Sequence, residues 1–230
     1  SRYSDMDNGL EDYAHSMGYS DADAWNETWG AFTWSDLVGE IDAGRPMLFL
    51  VDTNANGGTL TALNSASAIN GAFANQTGAT LQVFATTSST TLTIANSFTN
   101  AGAIQFKGGN SGGSNNPTLT VNAGAGTITN TGTIESIANS NFGVRTINAN
   151  ITNTGSITAT DSLTINGAVD TTSGTLSVAA SRIMTINSGP LTISSGTTLS
   201  GTGTINYGGT SLVLASDFTF ASSPVFNLTG

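Results

Sequence analysis

The sequence contains no cysteine, few charged residues and no long apolar run. Without cysteine the chain has no disulfides, thiolate metal sites or thiol nucleophiles. Its five basic residues are scattered among fifteen acidic ones, and the formal net charge is −10. Because phosphate binding relies on clustered Lys and Arg, nucleic acid is not an expected partner. No apolar run approaches the roughly 20 residues that a membrane-spanning helix needs, so we expect no membrane span.

The remaining composition predicts a folded protein. The chain has 230 residues, of which 38% are hydrophobic and only 9% are charged. Intrinsic disorder is typical of low hydrophobicity combined with high charge density, so we expect a core large enough for one or two domains. The chain begins at Ser1 without a signal-peptide pattern, which is typical of a mature, trimmed or partial chain whose export signal lies upstream.

The acidic residues are concentrated in the first part of the chain. Eleven of the fifteen, and all three Trp, lie at or before Asp52, which places a boundary near residues 54–59. We predict a small α/β segment over residues 1–58 and β-solenoid repeats over residues 59–230. Apolar spacing and capping residues predict these elements in the first segment: helices near residues 10–17 and 33–43, then a strand over residues 47–51.

One short phrase recurs in the second region. Three close copies and two looser ones lie at residues 99–104, 129–134, 152–157, 172–176 and 201–205. A turn rich in Asn and Gly followed by a strand is what each coil of a stacked β-structure needs. The glycine of each copy, named the phrase glycine below, is Gly102, Gly132, Gly155, Gly174 or Gly203. Their separations of 30, 23, 19 and 29 positions predict coils of variable length.

Short runs of alternating residues predict the strands. They lie at residues 91–94, 118–121, 162–165, 175–178 and 190–193. We expect aliphatic side chains inside and hydroxyls outside, with the intervening Gly and Asn at positions of positive φ. An antiparallel sandwich is an alternative, but a phrase repeated in one direction favours a parallel β-helix whose loops bulge outward. About seven coils at roughly 4.8 Å each give a rod on the order of 35 Å long, wound right-handed by default.

Residues 8–19, 34–37 and especially 40–47 resemble part of a C39-like, papain-fold peptidase domain. This family resemblance covers about a quarter of the chain and implies a catalytic Cys before the match and a catalytic His after it. The chain has no Cys, and Thr59 and Leu60 stand where an Asp–His pair is expected, so we expect no peptidase activity. We interpret His15 as a partly exposed helix residue. Two alternatives remain: the segment is a cap or docking element at one end of the solenoid, or the chain is a truncated or stitched stretch of a larger protein.

Phrases such as residues 128–134 (Ile-Thr-Asn-Thr-Gly-Thr-Ile) resemble those of filamentous-haemagglutinin-like and autotransporter-passenger adhesins. The resemblance covers about residues 90–230. It implies an exported bacterial protein at the cell surface, acting as a rigid stalk or filament subunit. Its expected partners are further copies of itself or a host or cell-surface glycan or protein. We therefore expect a structural or adhesive protein without catalysis, and an inactive peptidase-like binding module is a further alternative.

The acidic residues of the central coils provide the alternative of a carbohydrate-binding or carbohydrate-cleaving protein. Glycan cleavage needs two or more carboxylates that project from neighbouring coils into one groove. Glu135, Asp161 and Asp170 are the only acidic residues in the central coils, and no basic cluster accompanies them in the sequence. We therefore assign no catalytic, cofactor-binding or metal residues.

The turn at residues 52–57 matches the opening of a calcium-binding loop. Leu63 occupies the position where a bidentate Glu is needed, so we favour a plain Asx-rich turn.

Repeated Thr-x-Thr steps raise the possibility of a flat hydroxyl ladder like that of ice-binding solenoids. They lie at residues 91/93, 118/120, 127/129, 131/133, 158/160 and 202/204. Thr is also a favourable outward-facing strand residue, and irregular coil lengths predict a ragged ladder. Most aromatic residues beyond position 51 are expected in the core or at an end, whereas Tyr207, in a Gly-rich turn, is expected to be exposed.

Overall fold

The structure is a computed structural model that describes residues 58–108, 115–138, 143–215 and 224–229. Several predictions fall outside these residues: the α/β segment with its helices and strand, His15, and the turn at residues 52–57.

The described residues form short strands that follow one another around a coil. The first four coils contain β1 (Thr59–Leu63), β2 (Ala66–Ile69), β3 (Ala74–Asn75), β4 (Thr80–Ala85), β5 (Thr90–Ile94), β6 (Phe98–Asn100), β7 (Ala103–Gly108), β8 (Pro117–Val121), β9 (Thr127–Asn130), β10 (Thr133–Ser136), β11 (Arg145–Asn148) and β12 (Asn150–Asn153). The later coils contain β13 (Ser156–Ala159), β14 (Leu163–Asn166), β15 (Val169–Thr171), β16 (Thr175–Val178), β17 (Ile183–Asn187), β18 (Leu191–Ile193), β19 (Thr198–Gly201), β20 (Thr204–Gly208), β21 (Leu212–Leu214) and β22 (Val225–Leu228). One turn of 3₁₀ helix, Asn122–Gly124, follows β8.

The strands make three parallel sheets, because each coil adds one strand to each sheet. Sheet A has the order β1-β4-β7-β10-β13-β16-β19, sheet B the order β2-β5-β8-β11-β14-β17-β20-β22, and sheet C the order β3-β6-β9-β12-β15-β18-β21. The result is a parallel β-solenoid of about seven turns. The predicted parallel β-helix is confirmed over the antiparallel sandwich, and the winding sense stays a prediction.

The core is built from the aliphatic half of each alternating strand. In sheet A, Leu81, Ile104, Ile134, Ile157 and Leu176 stand in register and are fully buried. Fully burying one such side chain stabilises the fold by about 1.5–3 kcal/mol relative to leaving it exposed. The period-two alternation in the sequence therefore determines which face of each strand lies inside.

A ladder of buried asparagines runs through the core at the end of the sheet C strands. Asn75 donates from Nδ2 to Oδ1 of Asn100 at 2.6 Å, Asn100 to Asn130 at 2.6 Å, and Asn130 to Asn153 at 2.7 Å. The bonded residues are 25, 30 and 23 positions apart, although each pair spans one coil. The variable coil length is therefore absorbed outside the strands. We name these four residues the asparagine ladder.

The phrase glycines are required by close packing between coils and not by backbone conformation. A Cβ atom on Gly132 would lie 2.1 Å from the carbonyl oxygen of Gly102, and one on Gly155 would lie 2.1 Å from that of Gly132. Neither glycine has a positive φ; that conformation is adopted instead by glycines such as Gly78 and Gly124. The expectation of positive φ at the phrase glycines is therefore wrong.

The last copy of the phrase is out of phase with the others. The first four phrase glycines precede sheet A strands, whereas Gly203 precedes β20 of sheet B. The corner that corresponds to the earlier copies contains Gly196 instead, just before β19. The last separation of 29 positions therefore does not measure the length of one coil.

Tyr207 is buried, contrary to the expectation from its Gly-rich surroundings. Its hydroxyl lies 2.8 Å from the carbonyl oxygen of Gly189 and 2.6 Å from that of Ser211, and it accepts a hydrogen bond from the Ser211 amide at 2.8 Å. A hydroxyl can form hydrogen bonds with both the amide and the carbonyl groups of a turn, because it both donates and accepts. The residue therefore stabilises the turn after β20 from the inside.

Candidate functional site

Sheet B carries two columns of polar side chains on its outer face. The first column consists of residues in direct register: Thr91, Thr118, Thr146, Thr164, Thr185, Asn206 and Asn227. The second consists of Thr93, Thr120, Asn148, Asn166 and Asn187. Neighbouring strands of a sheet are about 4.8 Å apart, so each column repeats at that spacing along the solenoid.

The predicted raggedness of the threonine ladder is wrong for sheet B. The extra residues of the longer coils lie in the corners, so the parallel register continues unbroken from β5 to β20. The other Thr-x-Thr steps do not join these columns: Thr129, for example, lies on sheet C and Thr158 on sheet A.

The two columns differ in their hydrogen bonding. In the second column, Asn166 donates to Oδ1 of Asn148 at 2.9 Å, and Asn148 donates to the Thr120 hydroxyl at 3.1 Å. In the first column, the Thr hydroxyls have no hydrogen-bond partner among the described residues. At the end of that column, Asn227 donates from Nδ2 to Oδ1 of Asn206 at 3.1 Å. The Thr hydroxyls of the first column can therefore bind water or a ligand without breaking a hydrogen bond inside the protein.

A charged cluster closes the corner between sheets A and B. Arg145 begins β11, Asp161 lies in the turn between β13 and β14, and Arg182 lies in the turn before β17, so three successive coils each contribute one residue. One carboxylate oxygen of Asp161 is 2.9 Å from Nη2 of Arg145, and the other is 3.2 Å from Nη1 of Arg182. We name these three residues the corner cluster.

The corner cluster has a buried side and an exposed side. Arg145 is only 2% exposed and donates to the carbonyl oxygen of Gly143, whereas the Arg182 side chain is 43% exposed. Burial lowers the pKa of the Arg145 guanidinium, Asp161 opposes this change, and the nearby charge of Arg182 adds to it. Burying a guanidinium is costly unless it is paired, so Asp161 is needed to hold Arg145 inside.

A shallow recess of about 400 Å³ opens beside the corner cluster. Its apolar wall includes Val144 and Ile183, which are both exposed. Its polar wall includes Thr164, Thr185 and Asn206, which are consecutive members of the first column of sheet B. We name this space the corner recess. It combines an exposed cation, apolar surface and a row of hydroxyl and amide groups.

The three candidate acidic residues do not come together. Glu135 lies in the outward-facing register of sheet A, Asp170 in that of sheet C, and Asp161 in the corner between two arginines. No ion pair or hydrogen bond joins any two of them in the described part of the chain. One carboxylate oxygen of Asp170 is buried without a hydrogen-bond partner among the described residues. A shared groove for glycan cleavage by these residues is therefore not formed.

Two features of this region escaped the sequence interpretation. Arg145 has the same parity in β11 as the buried Ile147, and this inward position was the available signal for a buried cation. The partner Asp161 follows β13, but its nearness to Arg182 depends on how the coils stack.

Among the described residues, no group of three metal-ligating side chains assembles. In the same ranges, no helix has the length and apolar character needed to cross a membrane.

Comparisons with protein-family models, with curated proteins and with solved structures find no match to this chain. The resemblances to C39-like peptidases and to filamentous-haemagglutinin-like adhesins therefore rest on the residues quoted above.

Proposed function

We propose that this chain is a structural and adhesive β-helix of the bacterial cell exterior, acting as a rod that presents binding surfaces and self-assembles through its ends. The observation that carries the proposal is the unbroken register of the first column of sheet B over successive coils. A surface that repeats one polar group along an axis suits a partner that is also repetitive. Many weak contacts to such a partner add up through multivalency.

Rigidity is supported by how each coil contacts its neighbours. Three parallel strand pairs join successive coils, and the asparagine ladder adds a buried hydrogen bond in each of three successive steps. Fully satisfied polar networks in a core fix one arrangement, because any other leaves buried polar groups unpaired. These interactions favour a stiff stalk.

Self-association is supported by apolar side chains on the outermost described coils. Leu63 in β1 is 48% exposed and Leu228 in β22 is 68% exposed. Strand edges are ready templates for pairing with another chain. Contact between unlike ends is heterologous and produces an open filament when the rotation does not close. We therefore expect end-to-end association of copies of this chain.

Negative-stain electron microscopy over a concentration series tests this proposal. We expect elongated assemblies of the wild-type protein that become longer as concentration rises. Leu228→Asp should shorten or abolish them, because it places a charge on the end surface, whereas the matched charge in Thr158→Asp on the outer face of sheet A should not. Monodisperse monomers at high concentration by light scattering would contradict self-assembly.

A further inference from the structure

We propose that the corner recess binds a carboxylated polysaccharide, with Arg182 pairing with a uronate carboxylate and the first column of sheet B binding the sugar hydroxyls. This inference rests on the proposed adhesive function and names the ligand class for one part of that surface. The recess combines an exposed guanidinium, an apolar wall and a row of hydroxyl groups, and these three features together carry the proposal.

The cationic charge of the solenoid is concentrated at this recess. Beyond residue 58 the chain has three basic residues, Lys107, Arg145 and Arg182, and two of them belong to the corner cluster. Asp161 balances one of these charges. One positive charge is left beside the recess, which suits a ligand that carries one negative charge per binding position.

Arg182 is positioned to take a carboxylate. Among the described residues, the only side-chain partner of its guanidinium is Asp161, which lies 3.2 Å from one guanidinium nitrogen. A guanidinium has five N–H donors in a planar fork that matches a planar carboxylate. Because Asp161 is itself held by the buried Arg145, Arg182 is partly ordered before the ligand arrives, which reduces the entropy lost on binding.

The apolar wall of the corner recess is unusual for the middle of this solenoid. In the part of the chain that the structure describes, eight large apolar side chains are exposed, and six of them lie on the outermost coils, in β1, β21 and β22. The other two, Val144 at 54% exposure and Ile183 at 40%, both line the recess. A pyranose ring presents C–H groups that can pack on such a surface, which an inorganic anion does not.

The polar wall determines the direction in which the ligand lies on the solenoid. Thr164, Thr185 and Asn206 are in register on consecutive strands of sheet B and run along the solenoid axis. Neither Thr hydroxyl has a hydrogen-bond partner among the described residues. A linear polysaccharide that lies along this column presents hydroxyls to each strand in turn. An acidic peptide shares the carboxylates but not the row of hydroxyls, so we favour the glycan.

Isothermal titration with oligogalacturonate and with its methyl ester tests the proposal. The two ligands have the same sugar skeleton, and only the acid carries charge. We expect the full chain to bind the acid form, and Arg182→Gln to weaken this binding by about tenfold or more, as expected for a lost charged hydrogen bond. Arg182→Lys keeps the charge but loses the fork, and should be intermediate. Thr185→Val should weaken binding by a smaller factor at unchanged charge.

Lys107→Gln is the matched control, because it removes one positive charge from sheet A, away from the corner recess. It should leave binding unchanged. Equal binding of the acid and the ester, equal losses in the Lys107 and Arg182 variants, or equal binding of polyglutamate or a sulfated glycan would each overturn the proposal. Electron microscopy of the same samples separates the two proposals, since filaments without uronate binding would overturn only this one.

Discussion

Asn100 donates from Nδ2 to Oδ1 of Asn130 at 2.6 Å in the fully buried interior, although 30 positions separate the two residues. The same side chain also donates to the carbonyl oxygen of Thr133 at 3.1 Å. Each amide of the asparagine ladder therefore bridges two coils and contacts the corner of the next. This arrangement makes the core depend on polar side chains as well as on aliphatic ones.

Replacing Asn130 by Ala should strongly destabilise the solenoid. The substitution removes the acceptor of Asn100 and the donor to Asn153, both of which are fully buried. A buried polar group left unpaired costs about 1–3 kcal/mol, so the free energy of unfolding should fall by several kcal/mol. Urea denaturation followed by circular dichroism measures this change. Asn96→Ala, at an exposed position, is the control and should change stability by less than about 0.5 kcal/mol.

Gly155→Ala should destabilise the fold although alanine is the smallest possible addition. Its Cβ would lie 2.1 Å from the carbonyl oxygen of Gly132. This oxygen belongs to the backbone of the neighbouring coil and cannot move aside as a flexible side chain can. Overpacking of this kind typically costs about 1–3 kcal/mol. Gly71→Ala is the matched control, because its Cβ would have nothing within 4 Å. Equal thermal midpoints for the two variants would contradict the close contact between coils at Gly155.

Removing the carboxylate of the corner cluster should cost more than removing its exposed partner. Asp161→Ala leaves the buried guanidinium of Arg145 without its counter-charge, and breaking a buried ion pair in this way costs about 3–5 kcal/mol. Arg182→Gln removes a largely solvated charge and should cost at most about 1 kcal/mol. Thermal unfolding of the two variants measures the difference. A larger loss in the Arg182 variant would contradict the assignment of Asp161 as the residue that holds Arg145.

The Tyr207 hydroxyl should contribute to stability through the turn that it bonds. Tyr207→Phe keeps the buried ring but leaves the Ser211 amide without its acceptor, for an expected loss of about 1–3 kcal/mol. Ser211→Ala is the control, because the Tyr207 hydroxyl hydrogen-bonds to the backbone of that residue, which the substitution keeps. Hydrogen exchange at the Ser211 amide should accelerate in the first variant only. Unchanged exchange in both variants would contradict the role of the hydroxyl.

The strands were predictable because their signal is local. The alternation of residues 91–94 places Leu92 and Ile94 on the same face of a strand, and both are buried in the core. This pattern can be read from four neighbouring residues without knowledge of the other coils. The parallel arrangement was predictable for a related reason, since a turn phrase repeated in one direction implies the same crossing in each coil.

The polar interior was not predictable in the same way. Asn100 and Asn130 each stand two positions before a Gly in the sequence, and Asn and Gly so close together are ordinarily typical of an exposed turn. Their burial becomes favourable only when a neighbouring coil supplies the matching amide. The same dependence on stacking applies to Gly132, to Tyr207 and to the corner cluster, since in each case the deciding contact comes from another coil. Sequence reasoning fails where the partner of a residue is one or more coils away.

The unequal lengths of the coils have a consequence for how such a protein can change over generations. Asparagine neighbours 25, 30 and 23 positions apart still stand in one ladder, so added residues need not arrive as whole coils. A corner can gain or lose a few residues while the outer columns of sheet B keep their spacing. Selection can therefore change the sequence of a corner, or insert a new peptide there, while the stacking of the strands stays the same.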